Sequence, residues 1–298
     1  MRLVVTGVHG QVVRALVERA PAGVTVVPLG SPDLDLADAP AIAPALAAVG
    51  ADVVINAAAY TAVDKAETER DAAFAINATG AGAVAAAAHG LGLPLIHVST
   101  DYVFDGAKPA PYVETDPTGP TGVYGASKLA GEAAVMAAHP GAVIARTAWV
   151  YSPFGANFVK TMLRLAATRE ELGVVADQVG NPTSALDIAD GLLQIAANLL
   201  ARPAEPALTG LFHMTGSGEA SWAGFAEAVF AASAAHGGPV ARINPIATAQ
   251  YPTPARRPAN SRLDCTRLAT VHGVRLPDWR GSAEQIVARL LAAEETIA

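Results

Sequence analysis

The feature that most constrains this chain is a repeated alternation between short apolar runs and longer Ala-rich stretches. The runs fall at 2–5, 24–29, 52–56, 94–98 and 142–145, with helical stretches at 10–20, 40–49, 66–89 and 124–138 between them. Strands apolar on both faces must be covered on both faces, and intervening helices supply that cover. The pattern predicts an α/β protein with a Rossmann-type doubly wound parallel sheet, whose ligands bind at the carboxyl ends of the strands. After residue 148 the rhythm breaks. Segments 149–184 and 216–264, richer in aromatics and proline, read as a smaller C-terminal substrate-binding lobe. Segments 185–215 and 265–298 are expected to return to the cofactor-binding domain of 1–148. The stretch 105–122, with four prolines and three glycines, reads as a long loop over the site.

Composition removes several function classes. The formal net charge is −7 and the basic residues are scattered, whereas nucleic-acid binding relies on concentrated positive charge. One cysteine, Cys265, allows no internal disulfide, and the histidines lack metal-ligand spacing, so no metal is expected. Residues 72–100 contain no Asp, Glu, Lys or Arg, which raises the question of a membrane span. Asn77, Thr79, His89, Pro94 and several glycines interrupt that stretch, which reads instead as a buried helix and strand. Met1-Arg2 runs directly into a strand with no leader pattern, so a cytoplasmic location is expected.

The first strand ends in Thr6-Gly7-Val8-His9-Gly10-Gln11-Val12 and opens a helix. Glycines there let the backbone approach a pyrophosphate at the positive helix N-terminus, making Gly7, Gly10, Gln11 and Val12 cofactor candidates. Val13 stands where a full glycine fingerprint has its third glycine. After the second strand stand Gly30-Ser31, not the acid that binds an adenine-ribose hydroxyl. A 2′-phosphate would meet no repulsion, which favours NADPH slightly over NADH. Asp35 and Leu36 then become candidates for the adenine edge. The small-residue stretch after the third strand, with Ala58, Ala59, Tyr60 and Thr61, suits close contact with the cofactor.

Tyr124 and Lys128 are four apart on a predicted helix, so both side chains share one face. An ammonium beside a phenol stabilises the phenolate, and a Tyr so placed can protonate an alkoxide formed by hydride transfer. With four lysines and six tyrosines, chance supplies such a spacing often enough that context must decide. Thr100, at the end of the fourth strand, is that context: a hydroxyl where a third member of the site belongs. Trp149 is either core or an aromatic wall. Arg256-Arg257 is either a solvated pair or a guanidinium clamp for phosphate.

In these stretches the chain resembles the dTDP-4-dehydrorhamnose reductase family of extended short-chain dehydrogenases. The matching segments are TGVHGQV (6–12), INAAAYTAVDKAE (55–67), VSTDYVFDG (98–106), VYGASKLAGE (123–132), RTAWVYS (146–152), NFVKTMLRLA (157–166), DQVGNPT (177–183) and YPTPARRPANSRLD (251–264). The resemblance implies reduction of the 4-keto group of dTDP-4-dehydro-L-rhamnose by NADPH or NADH. It makes Tyr124 the proton donor, Lys128 the residue that binds the nicotinamide ribose, and Thr100 a partner of the reacting oxygen. Thr100, Asp101, Tyr102, Trp149 and Arg257 would contact substrate. Some relatives hold Mg²⁺ at a dimer interface through glutamates. Here Ala15, Leu186 and the surroundings of Arg289 take those places, so no metal is expected and the chain is a monomer or homodimer. Other readings are a reductase of a different dTDP-deoxysugar, an epimerase or 4,6-dehydratase, and a non-catalytic NADP-binding regulatory subunit. Dehydratases carry a Glu where this chain has Tyr102.

Overall fold

Six parallel strands form the frame in a computed structural model that describes residues 1–295. They are β1 (Arg2–Thr6), β2 (Thr25–Leu29), β3 (Val53–Asn56), β4 (Leu95–Thr100), β5 (Val143–Thr147) and β6 (Gly210–His213), in the order β6-β5-β4-β3-β1-β2. Val4 of β1 pairs with Val27 on one side and Val54 on the other. From β1 the chain steps outward to β2, then returns past β1 to start β3. The switch point lies between β1 and β3, and a crevice opens beyond their carboxyl ends.

Both faces of the sheet are covered, as strands apolar on every residue require. Leu3, Val5, Ile55, Ile96 and Val143 pack with helices Gln11–Arg19 and Ala185–Ala201. Val4, Val54, Leu95 and Ile144 face the opposite way, onto helices Ala39–Val49, Ala81–Gly90 and Val123–Ala138. The predicted helix 66–89 is broken by a turn at 67–69 and widened by a π-helical turn, Ala75–Gly80. β6 was not anticipated. Its four residues pair along β5, and the segment lacks the continuous apolar run that marked the other five strands.

A second core lies beside the sheet. It gathers Tyr151, Val159, Phe225, Val229, Trp279 and Val287, with helices Phe158–Ala166 and Trp222–Ala235 and short strand pairs such as Glu171–Val175 with Arg242–Ile246. The last segment divides between the two cores. Leu268, Val274 and Leu276 join the sheet core, whereas Trp279–Glu295 packs along Trp222–Ala235. Trp279 explains the division, because its ring is 1% exposed and meets Phe225 edge-on at 5.3 Å. Arg289 reaches back to Glu18 through two hydrogen bonds of 2.5 and 2.7 Å and ties that helix to Gln11–Arg19.

Candidate active site

At the end of β1 the chain turns at Gly7, whose φ of +94° suits glycine. Gly30 is pressed against this turn: a Cβ there would stand 3.0 Å from Val8 Cγ2 and 3.2 Å from Gly7 Cα. An acid at position 30 would have to move the Gly7–Val8 turn by a few tenths of an ångström. Gly10 begins the helix Gln11–Arg19 without any side-chain cap, so its first N–H groups and its positive end face the crevice. Gln11, at the start of that helix, also reaches the second lobe. Its Oε1 accepts from Ser152 Oγ at 2.7 Å and Asn157 Nδ2 at 3.1 Å, joining the glycine turn to the lobe.

Asn77 shapes the next wall of the crevice. Its Oδ1 accepts from the Tyr60 N–H at 2.8 Å, while its Nδ2 donates to the Tyr60 carbonyl at 3.0 Å and to Ser127 Oγ at 2.9 Å. The π turn aims this amide at strand β3's exit loop, a use for which such wide turns recur. Tyr60 is held by its backbone, and its phenol turns outward to Glu69 at 2.6 Å. Ala58 and Ala59 are half-buried beside it and Thr61 is exposed. Asp35 spends one oxygen on the Ala37 N–H, and Leu36 is a core side chain.

Tyr124 and Lys128 lie on helix Val123–Ala138, whose placement is fixed from several sides. Glu67 Oε1 accepts from the Val123 N–H at 2.9 Å, doing the capping that Gly122 cannot. Gly125 lets the helix meet the Tyr102 carbonyl, where any Cβ would collide. One turn beyond Lys128, Glu132 accepts two hydrogen bonds from Arg146 of β5, at 2.8 and 2.6 Å, and one from Ser99 of β4 at 2.6 Å. That pair is almost wholly buried, with side chains 2% and 5% exposed.

The Thr100 hydroxyl acts on the Tyr124 phenol in the lowering sense, against the larger effect of burial. It donates to Asp101 Oδ1 at 2.9 Å and accepts from the Tyr102 N–H at 3.2 Å. Burial pushes the Asp101 carboxyl up to about 6, against hydrogen bonds from Ser261 and Thr100. Lys128 donates to the Val98 carbonyl at 2.7 Å and faces His97 Nε2 at 3.5 Å. Burial pulls Lys128 down to about 8, with Glu132 acting the other way. The expectation that Lys128 lowers the Tyr124 phenol does not hold in this arrangement. Burial instead raises that phenol well above its ordinary value, and the lysine hydrogen-bonds toward β4. The phenol is therefore protonated at neutral pH.

Beyond Tyr124 the site opens into a cleft of about 780 Å³, lined by Asp64, Tyr102, Phe158, Trp222, Tyr251 and Arg257 among others. The Tyr102 ring meets Tyr124 edge-on at 5.4 Å. Arg257 donates to Tyr102 Oη at 3.3 Å and pairs with Asp64 at 2.7 Å, so it belongs to the cleft and Arg256 does not. Trp149 has φ +48°, a strained conformation for a bulky residue. Its ring stacks on Trp222 at 3.6 Å and 7°. The indole lining the cleft is Trp222, not Trp149, and no motif around Trp222 singles it out. The NSRLD stretch has a structural use: Asn260 and Arg262 hold the carbonyls of Lys108, Ala110 and Pro109, stapling the 105–122 loop in place. Among the described residues no group of three or more His, Cys, Asp or Glu is placed to hold a metal ion.

A doubly wound sheet with a glycine turn at its switch point, and Thr, Tyr and Lys at the neighbouring strand end, defines a nicotinamide-dependent oxidoreductase of the short-chain dehydrogenase type. Residues 1–292 match the family model described as RmlD substrate binding domain. The chain is 53% identical over 291 residues to a dTDP-4-dehydrorhamnose reductase of Sinorhizobium fredii, covering 98% of each. It is 43% identical over 261 residues to that of Escherichia coli K12, covering 86% of this chain and 85% of the relative. The solved dTDP-4-dehydrorhamnose reductase of Clostridium acetobutylicum matches with TM-score 0.90 and 38% identity, over 98% of this chain and 100% of that one. That of Bacillus anthracis, solved in complex with NADP, matches with TM-score 0.89 and 34% identity, over 97% and 99%. The chain belongs to the dTDP-4-dehydrorhamnose reductase family.

Proposed function

We propose that this chain reduces the 4-keto group of dTDP-4-dehydro-L-rhamnose to the alcohol of dTDP-L-rhamnose, using NADPH or NADH in the cytoplasm. The observation that carries the reading is the meeting of Thr100, Tyr124 and Lys128 between an uncapped helix N-terminus and the Tyr102–Arg257 cleft. The fit to a dinucleotide rests on the Gly7 turn, the free N–H groups after Gly10 and the small residues Ala58 and Ala59. Gly30, standing where an acid would repel a 2′-phosphate, supports NADPH. So does the relative solved with NADP.

Reduced nicotinamide supplies the hydride when bound. As charge grows on the 4-oxygen, the Tyr124 phenol gives it a proton, and Thr100 holds that oxygen and the phenol in line. Lys128 orients the cofactor ribose. Asp101, Tyr102 and Trp222, backed by the Trp149 ring, take the sugar face, and Arg257 serves the diphosphate. Tyr102 cannot serve the water elimination of a 4,6-dehydratase, and the carboxyl group that acts on Tyr124 is that of Asp101.

The test is NADPH and NADH oxidation by purified protein given dTDP-4-dehydro-6-deoxyglucose with a 3,5-epimerase. Oxidation that depends on the epimerase is expected. No oxidation with either cofactor sinks the reading and returns the chain to the regulatory-subunit alternative. Faster turnover of a different dTDP-deoxyketosugar would shift the substrate within the same class.

A further inference from the structure

The hydrogen bonds beneath Lys128 run in one direction, and that direction fixes the state of His97. The N–H groups of Ala57 and Ala58 both donate to Thr6 Oγ1, at 3.1 and 3.0 Å. With both lone pairs taken, the Thr6 hydroxyl can only donate, and it does so to Asn56 Oδ1 at 2.7 Å. The Asn56 amide is thereby oriented, so its Nδ2 donates to His97 Nδ1 at 3.0 Å. A neutral imidazole that accepts at Nδ1 carries its proton on Nε2. The reverse order would crowd three donors onto Thr6 Oγ1 and leave its own proton without an acceptor. Bulk water cannot repair that, since Thr6 and Asn56 are 0% exposed and His97 1%.

The Nε2–H of His97 therefore points at Lys128 Nζ across 3.5 Å. Against an ammonium two donors meet there; a neutral amine would accept instead. We propose that His97, held as the Nε2–H tautomer by the Thr6–Asn56 chain, is a positioning residue that favours the neutral amine of Lys128 and so lets this lysine exchange its proton near working pH. Burial of both groups, which lowers both His97 and Lys128, acts in the same sense. From its own helix Glu132 favours the ammonium, but that carboxylate is committed to Arg146 and Ser99. The Val98 carbonyl accepts from Nζ in either state. The place of the device in turnover rests on the reductase reading.

The test uses magnetic resonance of the intact protein and needs no turnover. Nitrogen-labelled histidine reports the tautomer of His97, assigned by His97→Gln. Labelled lysine gives a titration for Lys128, one of four lysines, assigned by Lys128→Met. The wild-type ring should carry its proton on Nε2 alone; a proton on Nδ1 overturns the proposal. Asn56→Asp accepts from both Thr6 and His97 Nδ1–H, so it should move the proton to Nδ1 and raise the Lys128 midpoint by at least about one unit. Thr6→Val adds no charge but frees the amide to turn, and should raise the midpoint in the same direction, with Thr6→Ser restoring it. A midpoint that stays put when the tautomer changes, or that moves only with the added charge, overturns the proposal. If one variant fails to fold, the other and the wild-type spectrum still decide. Loss of the reductase reading would show separately, as absent NADPH oxidation with these spectra unchanged.

Discussion

Beneath Tyr124 and Lys128 the site is polar and buried: Thr6, Asn56, His97, Ser99, Glu132 and Arg146 are each at most 4% exposed. Across the cleft, Trp149, Trp222, Phe158 and Phe225 form one run of ring contacts, two stacked and one tilted. Their polar neighbours Arg257 and Asp64 keep side chains 21% and 41% exposed. The floor must place protons, which demands directional bonds away from water, where each bond is strong and each orphaned group costly. The lobe must hold a ligand, which area and shape accomplish. The two regions should therefore respond differently to the same kind of lesion.

The largest effect belongs to the floor. Tyr124→Phe removes one oxygen and should lower kcat by roughly 10²–10⁴-fold while NADPH still binds, measured by steady-state kinetics and fluorescence titration. A near-normal kcat would place the proton donor elsewhere. Arg146→Met leaves Glu132 buried without its cation and should cost about 3–5 kcal/mol in urea unfolding, because an uncompensated buried charge is expensive. A loss below about 1 kcal/mol would put that pair in the same class as the exposed ones.

Asp101 lies between the two regions, and its sign differs. Its folded carboxyl titrates at about 6 against an ordinary 3.8, so between those values the native state binds more protons than the unfolded one. Stability therefore falls as pH rises through that window. Asp101→Asn should remove the fall and make the protein more stable at pH 7 by up to about 2–3 kcal/mol, while weakening substrate turnover. An unchanged stability–pH curve would mean that the carboxyl is not raised. The smallest effect belongs to the cleft rim. Asp64→Asn breaks a partly exposed pair and should cost under about 1 kcal/mol of stability, yet raise KM for the sugar nucleotide by freeing Arg257. A stability loss equal to that of Arg146→Met would erase the contrast between floor and lobe.

How legible the site was depended on how each residue announces itself. Five of the six sheet strands were readable because strands buried on both faces must be apolar throughout. Tyr124 and Lys128 were readable because four residues along a helix return to one face. Glu67 and Asn77 were not: one caps a helix 56 residues away, and the other works only because a π turn redirects it. The final helix reads as an ordinary amphipathic segment, and only the burial of Trp279 shows which core it joins.

By itself the sequence determined a doubly wound sheet, the turn that faces a dinucleotide, and a phenol and ammonium on one helix face. These follow from local periodicity and backbone sterics, which every short segment carries. Tertiary structure decided what state those groups are in. Thr6, Asn56 and His97 come from three different strands, 50 and 41 residues apart; Thr6 and Asn56 each end an apolar run and His97 interrupts one. A hydrogen-bond chain has direction only when all its donors and acceptors are counted together. That count exists only once β1, β3 and β4 lie side by side.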